Sequence, residues 1–254
     1  MKFRNPDRSQ YKQLLKKAKE GEVIVVPMDD RLTESAPPYV ATGRTTPEWF
    51  KNSPKNGIRK CAGVQDYLNI GVVIRAWTDF SFDPRPELGG WELNISQMPM
   101  CPEPFISDPF PRTATGTCPM TDARKLDESP YPKLVNPYAF ITAKGWSLMV
   151  TDIPYEPNPN YSVVPAIVNT DYYHHINIVL NLTNDEPFTI KHGDPIARLI
   201  PFKRSSDITK LNFAPESMFR FVVGRGLGAN QMKDSGGIAR AYRKALRQSG
   251  DNES

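Results

Sequence analysis

Residues 163–202 read VVPAIVNTDYYHHINIVLNLTNDEPFTIKHGDPIARLIPF, and their alternation decides the fold class. Ile176, Ile178, Leu180 and Leu182 alternate with Asn177, Val179, Asn181 and Thr183. Successive side chains of a strand point to opposite faces, so this run predicts a half-buried strand with its aliphatic residues inward. Asn184-Asp185-Glu186-Pro187 breaks the run and Phe188-Thr189-Ile190 resumes it. Gly193-Asp194-Pro195 turns the chain again, and a last strand over 196–202 ends at Lys203 and Arg204.

Upstream, residues 138–151 read as a hairpin turning at Lys144-Gly145, and 154–160 (PYEPNPN) as a stiff connector. Gly71–Phe82 predicts one strand, with Trp91–Met98 as its neighbour, and Val23–Val26 another. Tyr11, Leu14, Leu15 and Ala18 share one side of a helix over 8–20 that Gly21 stops. Thr46 as N-cap, Pro47 in the first turn and Glu48 start a second helix, and 61–69 a third. Residues 99–137 are Pro-rich and predict an irregular region, while Gly236-Gly237 precedes a basic helix over 238–248.

Composition sets bounds. Hydrophobic residues at 39% of 254 are enough for a core, so disorder is excluded. Twenty-five prolines imply long irregular connections and few helices. No apolar run reaches the ~20 residues of a membrane span, and the first residues carry no hydrophobic signal core. Cys61, Cys101 and Cys118 make no disulfide framework, which points to a reducing compartment. The net charge of +4 is carried by the two ends, around a slightly acidic middle.

Ile167-Val168-Asn169-Thr170-Asp171-Tyr172 resembles the Gly-x-Ile-Asp-x-x-Tyr strand of the trimeric dUTPases, and Gly193-Asp194-Pro195-Ile196-Ala197-Arg198 their Gly-x-Arg-Ile-Ala-Gln turn and strand. The dCTP deaminases share this spacing, and the likeness covers about 40 residues. It implies a mainly β fold: a dUTPase-like β-sandwich, jelly-roll-like core with N-terminal α/β decoration and a short C-terminal basic helix. In that arrangement residues 1–98 pack a helix and strands on the core, and 99–137 are irregular. Residues 138–204 form the core, 205–254 form an arm and helix, and the whole is one compact domain. The resemblance also implies a homotrimer.

The departures concern chemistry. Asn169 stands where dUTPases carry the Asp that activates water, and Val179 where dCTP deaminases carry a catalytic Glu. An amide cannot take a proton from water as a carboxylate can. His174 replaces the Gly that closes the dUTPase motif, and no Gly-Arg-Ser-Ser is present. Gly224-Arg225-Gly226-Leu227-Gly228 lacks the aromatic of the family's C-terminal arm. No catalytic residue is therefore assigned.

A second resemblance runs through Pro47-Glu48-Trp49-Phe50, Ile58-Arg59-Lys60-Cys61, Gly71 to Trp77-Thr78-Asp79, and Ile200-Pro201-Phe202-Lys203-Arg204. These residues resemble an uncharacterised family of tailed-phage proteins, found in marine phages among others. That likeness implies a phage-type protein in the host cytoplasm or the virion, with a phage or host protein as partner.

Two function classes follow. The first is a non-catalytic assembly or interaction protein. The second is a nucleotide-binding protein, a pyrophosphohydrolase or a sequestering protein, with Asn169, Asp171, Tyr172 and Arg198 at its pocket and Mg²⁺ as its only cofactor. By resemblance, Tyr172 would lie under a deoxyribose. A third, weaker class uses Lys203, Arg204, Arg225, Arg240, Arg243, Lys244 and Arg247 on phosphate or nucleic acid. Adjacent His174 and His175 point to opposite faces of a strand and no Cys-x-x-Cys is present, so no metal site is assigned.

Overall fold

The alternation at 176–182 is realised residue by residue. In the computed structural model Ile176, Ile178, Leu180 and Leu182 are buried, and the residues between them are half-buried. The structure describes residues 8–28, 30–42, 46–54, 57–85, 90–95, 132–204 and 210–218. The chain divides into two units, residues 1–40 with 71–206, and residues 41–70 with 207–254.

The first unit is mainly β. Its strands are β1 (Val23–Pro27), β2 (Tyr39–Val40), β3 (Val72–Arg75), β4 (Phe80–Arg85), β5 (Gly90–Ile95) and β6 (Lys133–Thr142). After these come β7 (Trp146–Thr151), β8 (Tyr161–Val163), β9 (Ala166–Val168), β10 (His175–Leu182), β11 (Phe188–Ile190) and β12 (Pro195–Lys203). Three sheets result, ordered β1-β6-β10-β8, β2-β3-β12-β7-β9 and β11-β4-β5. Every pairing among the described residues is antiparallel. One apolar core draws on all three sheets, with Ile74, Phe80, Phe82, Leu134, Phe140, Leu148, Ile178 and Leu199 each at most 1% exposed. Each such side chain contributes about 1.5–3 kcal/mol through removal from water.

Helix α1 (Arg8–Lys17) buries no residue completely, and the short α2 (Leu32–Ser35) buries Leu32. The Tyr138 hydroxyl fastens α2 by donating to the carbonyls of Leu32 and Ala36 at 3.0 and 3.2 Å. Gly71 has φ +91°, and a Cβ there would meet the Leu199 carbonyl.

Several elements depart from the expected ones. The predicted strand 71–82 is two, β3 and β4, in different sheets. The break at 76–79 is held by Ala76 N–H donating to Asp194 O (2.7 Å), Gly193 N–H donating to Ala76 O (2.8 Å) and the Asp79 carboxylate accepting from His192 N–H (2.7 Å). The predicted 138–151 hairpin turns where expected, but β6 and β7 do not pair. β6 already has β1 on one side and β10 on the other, so β7 joins another sheet. β6 itself starts at Lys133, inside the region expected to be irregular, and residues 96–131 lie outside the described residues. In the same way β10, β11 and β12 go to three different sheets.

The second unit contains α3 (Glu48–Asn52) and α4 (Ala62–Leu68), with a 3₁₀ turn at Ile58–Lys60. Pro47, not Thr46, occupies the N-cap of α3, and its carbonyl accepts from Phe50 and Lys51 N–H. Arg59 donates to Lys51 O at 2.8 Å and its own carbonyl accepts from the Gln65 amide, which ties the two helices together. The C-terminal basic helix predicted at 238–248 lies outside the described residues.

Candidate functional site

Asn169, Asp171 and Tyr172 come together in the turn that joins β9 to β10. Val168 ends β9, and Tyr172 and Tyr173 N–H close the turn on Asn169 O at 3.3 and 2.9 Å. Beneath it Thr170, fully buried, shares a 2.8 Å hydroxyl bond with Thr142 at the end of β6. The turn thus rests on the β6–β7 connection.

Side chains complete the join. Ser147 Oγ donates to Asn169 Oδ1 at 2.7 Å, and Asn169 Nδ2 donates to the Tyr172 hydroxyl at 2.8 Å. The amide expected at a base edge is engaged on both of its ends. Asp171 is gripped from two sides. Gly145 N–H donates to Oδ2 at 2.9 Å, and Arg204 forks onto both oxygens at 2.9 and 2.5 Å. Gly145 has φ +84°, the left-handed region that glycine enters without steric cost, and this aims its N–H at the carboxylate.

Arg204 stands just past the end of β12. It also donates to Trp146 O and Ser147 Oγ, both at 3.0 Å, and its guanidinium carbon lies 5.7 Å from the centre of the Tyr172 ring. The Arg204 hydrogen bonds, with the Gly145 N–H, hold the Asp171 carboxyl below its ordinary value despite partial burial. The same pairing raises the Arg204 guanidinium. A carboxylate so stabilised in its charged form is a poor proton acceptor near neutrality. Chemically, the cluster is a hydrogen-bonded ion pair, its carboxylate held by three donors.

Arg198 is placed differently. It is 5% exposed inside the sheet, between Val73 of β3 and Thr151 of β7. Six residues of extended strand put it about 20 Å from Arg204. Its field, with that of Arg75, opposes the desolvation that raises the Tyr39 phenol.

The basic residues expected at phosphate divide likewise. Lys203 pairs with Glu20 at 3.1 Å, and Arg204 with Asp171. The Lys203 bond lowers the Glu20 carboxyl. Arg225, Arg240, Arg243, Lys244 and Arg247 lie outside the described residues.

The histidines act singly. His174 bonds the Tyr11 hydroxyl of α1 (2.7 Å) and Thr170 O (2.9 Å), His175 bonds Asn136 O (3.0 Å), and His192 bonds Ser35 Oγ (2.7 Å). Among the described residues no group of three His, Cys, Asp or Glu side chains is placed to hold a metal ion. No described helix is long and apolar enough to cross a membrane.

What the turn presents outward is apolar. Tyr172 is 67% exposed, Tyr173 55%, and Ile167 of the neighbouring outer strand 62%. Ser147, Gly145 and the Arg204–Asp171 pairing were not foreseen, because 33 residues separate the ion pair and no local pattern announces it. No protein-family model matches the chain, and no curated protein matches it.

Proposed function

We propose that this chain is a non-catalytic assembly or interaction module on a dUTPase-like β-sandwich frame, self-associating as a homotrimer. The observation that carries the reading is the pair of outer strands of the five-stranded sheet. β2 exposes Val40 at 64% and β9 exposes Ile167 at 62%, and neither strand carries a charged residue. Outer strands offer backbone donors and acceptors to a further strand. A second copy meets that need head to tail, its β2 against β9. Repeated contacts of this heterologous kind close into a ring, and three copies give the trimer that the resemblance implies. Asn169 and Asp171, engaged inside their own fold, support a role without catalysis. The tailed-phage resemblance supports a place in the host cytoplasm or the virion.

Light scattering on the eluting full chain tests this. The proposal expects a trimer that Ile167→Lys converts to monomer with its melting curve retained. A wild-type monomer throughout the micromolar range overturns it.

One observation favours a second reading, nucleotide binding: the open Tyr172 ring beside a guanidinium. A nucleotide at 100 times its Kd would stabilise the protein by about 2.7 kcal/mol. Such a rise with a deoxynucleotide and Mg²⁺, lost in Tyr172→Ala, would replace the assembly reading.

A further inference from the structure

Helix α1 buries no residue completely, and a helix this short is marginal alone in water. Two side-chain links fasten it to the face that carries the 169–174 turn. Near its start the Tyr11 hydroxyl bonds His174, with the two rings edge to face at 5.9 Å. Just past its end Glu20 pairs with Lys203. Arg204, the next residue, lies against the Tyr172 ring, and Tyr172 and Tyr173 lead back to His174. The links close on themselves, so α1, the turn and the end of β12 frame one face of the first unit.

That face joins charge to aromatic rings. Five of the thirteen residues from Arg8 to Glu20 are lysine or arginine, and one is acidic. Arg8, Lys12, Lys16, Lys17 and Lys19 are all exposed, and none of these side chains has a partner among the described residues. Arg8, Lys12 and Lys16 recur every four residues, so they form a row in steps of about 6 Å beside Tyr11. Like charges four apart repel and weaken a helix, a cost that a polyanion laid along the row removes. Asp171 and Glu20, the carboxylates of this frame, are each paired with a cation. Tyr11 is 43% exposed, and Tyr172 and Tyr173 more so. Lysines alone would be a solvated helix face, and tyrosines alone an apolar patch. Side by side they match one partner chemistry, a row of phosphates carrying unpaired bases.

We propose that this face binds single-stranded nucleic acid. Arg8, Lys12 and Lys16 follow the phosphates, while Tyr172 and Tyr173 offer rings on which bases stack. Arg204 already backs the Tyr172 ring, so an incoming base completes a layer of base, tyrosine and guanidinium. A duplex hides its base faces, which is why a single strand is favoured. No backbone group of the outer strands takes part, so the inference holds for a monomer and a trimer alike.

Fluorescence anisotropy on the full chain tests the assignment. The probe is labelled oligo(dT) of about 15 nucleotides, near the upper end for one single-strand-binding domain. An abasic strand and a duplex of the same length, dTMP, and phosphatidylserine–phosphatidylcholine vesicles are compared with it. The proposal expects saturable binding of oligo(dT), weaker binding of the abasic strand and the duplex, and none of dTMP at equal concentration. Log K falls with log salt at a slope of about −2, or about −0.7 for each of the three phosphate contacts. Lys12→Gln with Lys16→Gln flattens that slope by about 1.4. Lys191→Gln, beyond the opposite end of β12, leaves it unchanged. Tyr172→Ala weakens oligo(dT) binding about tenfold, the loss of one base stack, and Tyr172→Phe, which keeps the ring, does not. The proposal is overturned by no saturation with oligo(dT), or by equal binding of the abasic strand or the duplex. Equally tight dTMP binding overturns it in favour of a mononucleotide pocket, and vesicle binding without strand binding in favour of a membrane surface. Unchanged affinity in Tyr172→Ala, or an unchanged salt slope in the double lysine variant, overturns it as well.

Discussion

Replacing Asp171 by alanine isolates the join between the 169–173 turn, the β6–β7 connection and the end of β12. The carboxylate accepts three hydrogen bonds, and its side chain is 7% exposed while that of Arg204 is 31% exposed. A fully buried pair broken at one partner costs about 3–5 kcal/mol, and an exposed one at most about 1. Arg204 can regain water on its open side but the Gly145 N–H loses its acceptor, so Asp171→Ala costs about 2–3 kcal/mol. For a chain of this size that lowers Tm by about 5–10 °C. The pH dependence has a definite sign. The folded-state carboxyl lies below its unfolded value, so its contribution is complete above the unfolded pKa of about 3.9 and fades as pH falls through the folded one. Urea unfolding at pH 7 should separate wild type from variant, and the gap should shrink at pH 3 and below. A double variant with Arg204→Ala should cost clearly less than the two singles together. A loss under about 0.5 kcal/mol at pH 7, or a gap that widens in acid, would refute the reasoning.

Two further outcomes follow from backbone and hydroxyl geometry. Gly71→Ala forces a side chain onto a residue at φ +91° and against the Leu199 carbonyl, and should cost about 2–3 kcal/mol in urea unfolding. Tyr138→Phe removes a 1% exposed hydroxyl that holds two carbonyls. It should cost about 1–2 kcal/mol and speed hydrogen exchange at Thr33 and Glu34 ahead of the core strands.

The legible part of this fold was local. Alternation at 176–182 named the four buried residues of β10, and Gly145 and Gly193 marked turns at positive φ. Pairing was not legible, because it is a property of the whole chain. Nothing around 138–151 says that β6 has both edges taken, so two strands joined by a tight turn look like a hairpin wherever they end up. The 71–82 run fails for a related reason. Its alternation persists through Ala76–Asp79, while the chain leaves one sheet for another to meet Gly193 and Asp194. The candidate turn was half legible: residues 169, 171 and 172 are consecutive enough to share a site. Their partner Arg204 was visible only as a basic residue after a strand.

The sheet order also governs when the protein can become stable during synthesis. β1 pairs with β6, so Val23 waits for Thr142, and β3 waits for β12, the strand between it and β7. Closing loops of about a hundred residues costs chain entropy before any contact repays it. Until the ribosome has released the residues up to Lys203, the five-stranded sheet lacks its middle strand. Over about a hundred residues of synthesis β1 therefore lacks its sheet partner and β3 has β2 alone, the interval in which a nascent chain depends on chaperones.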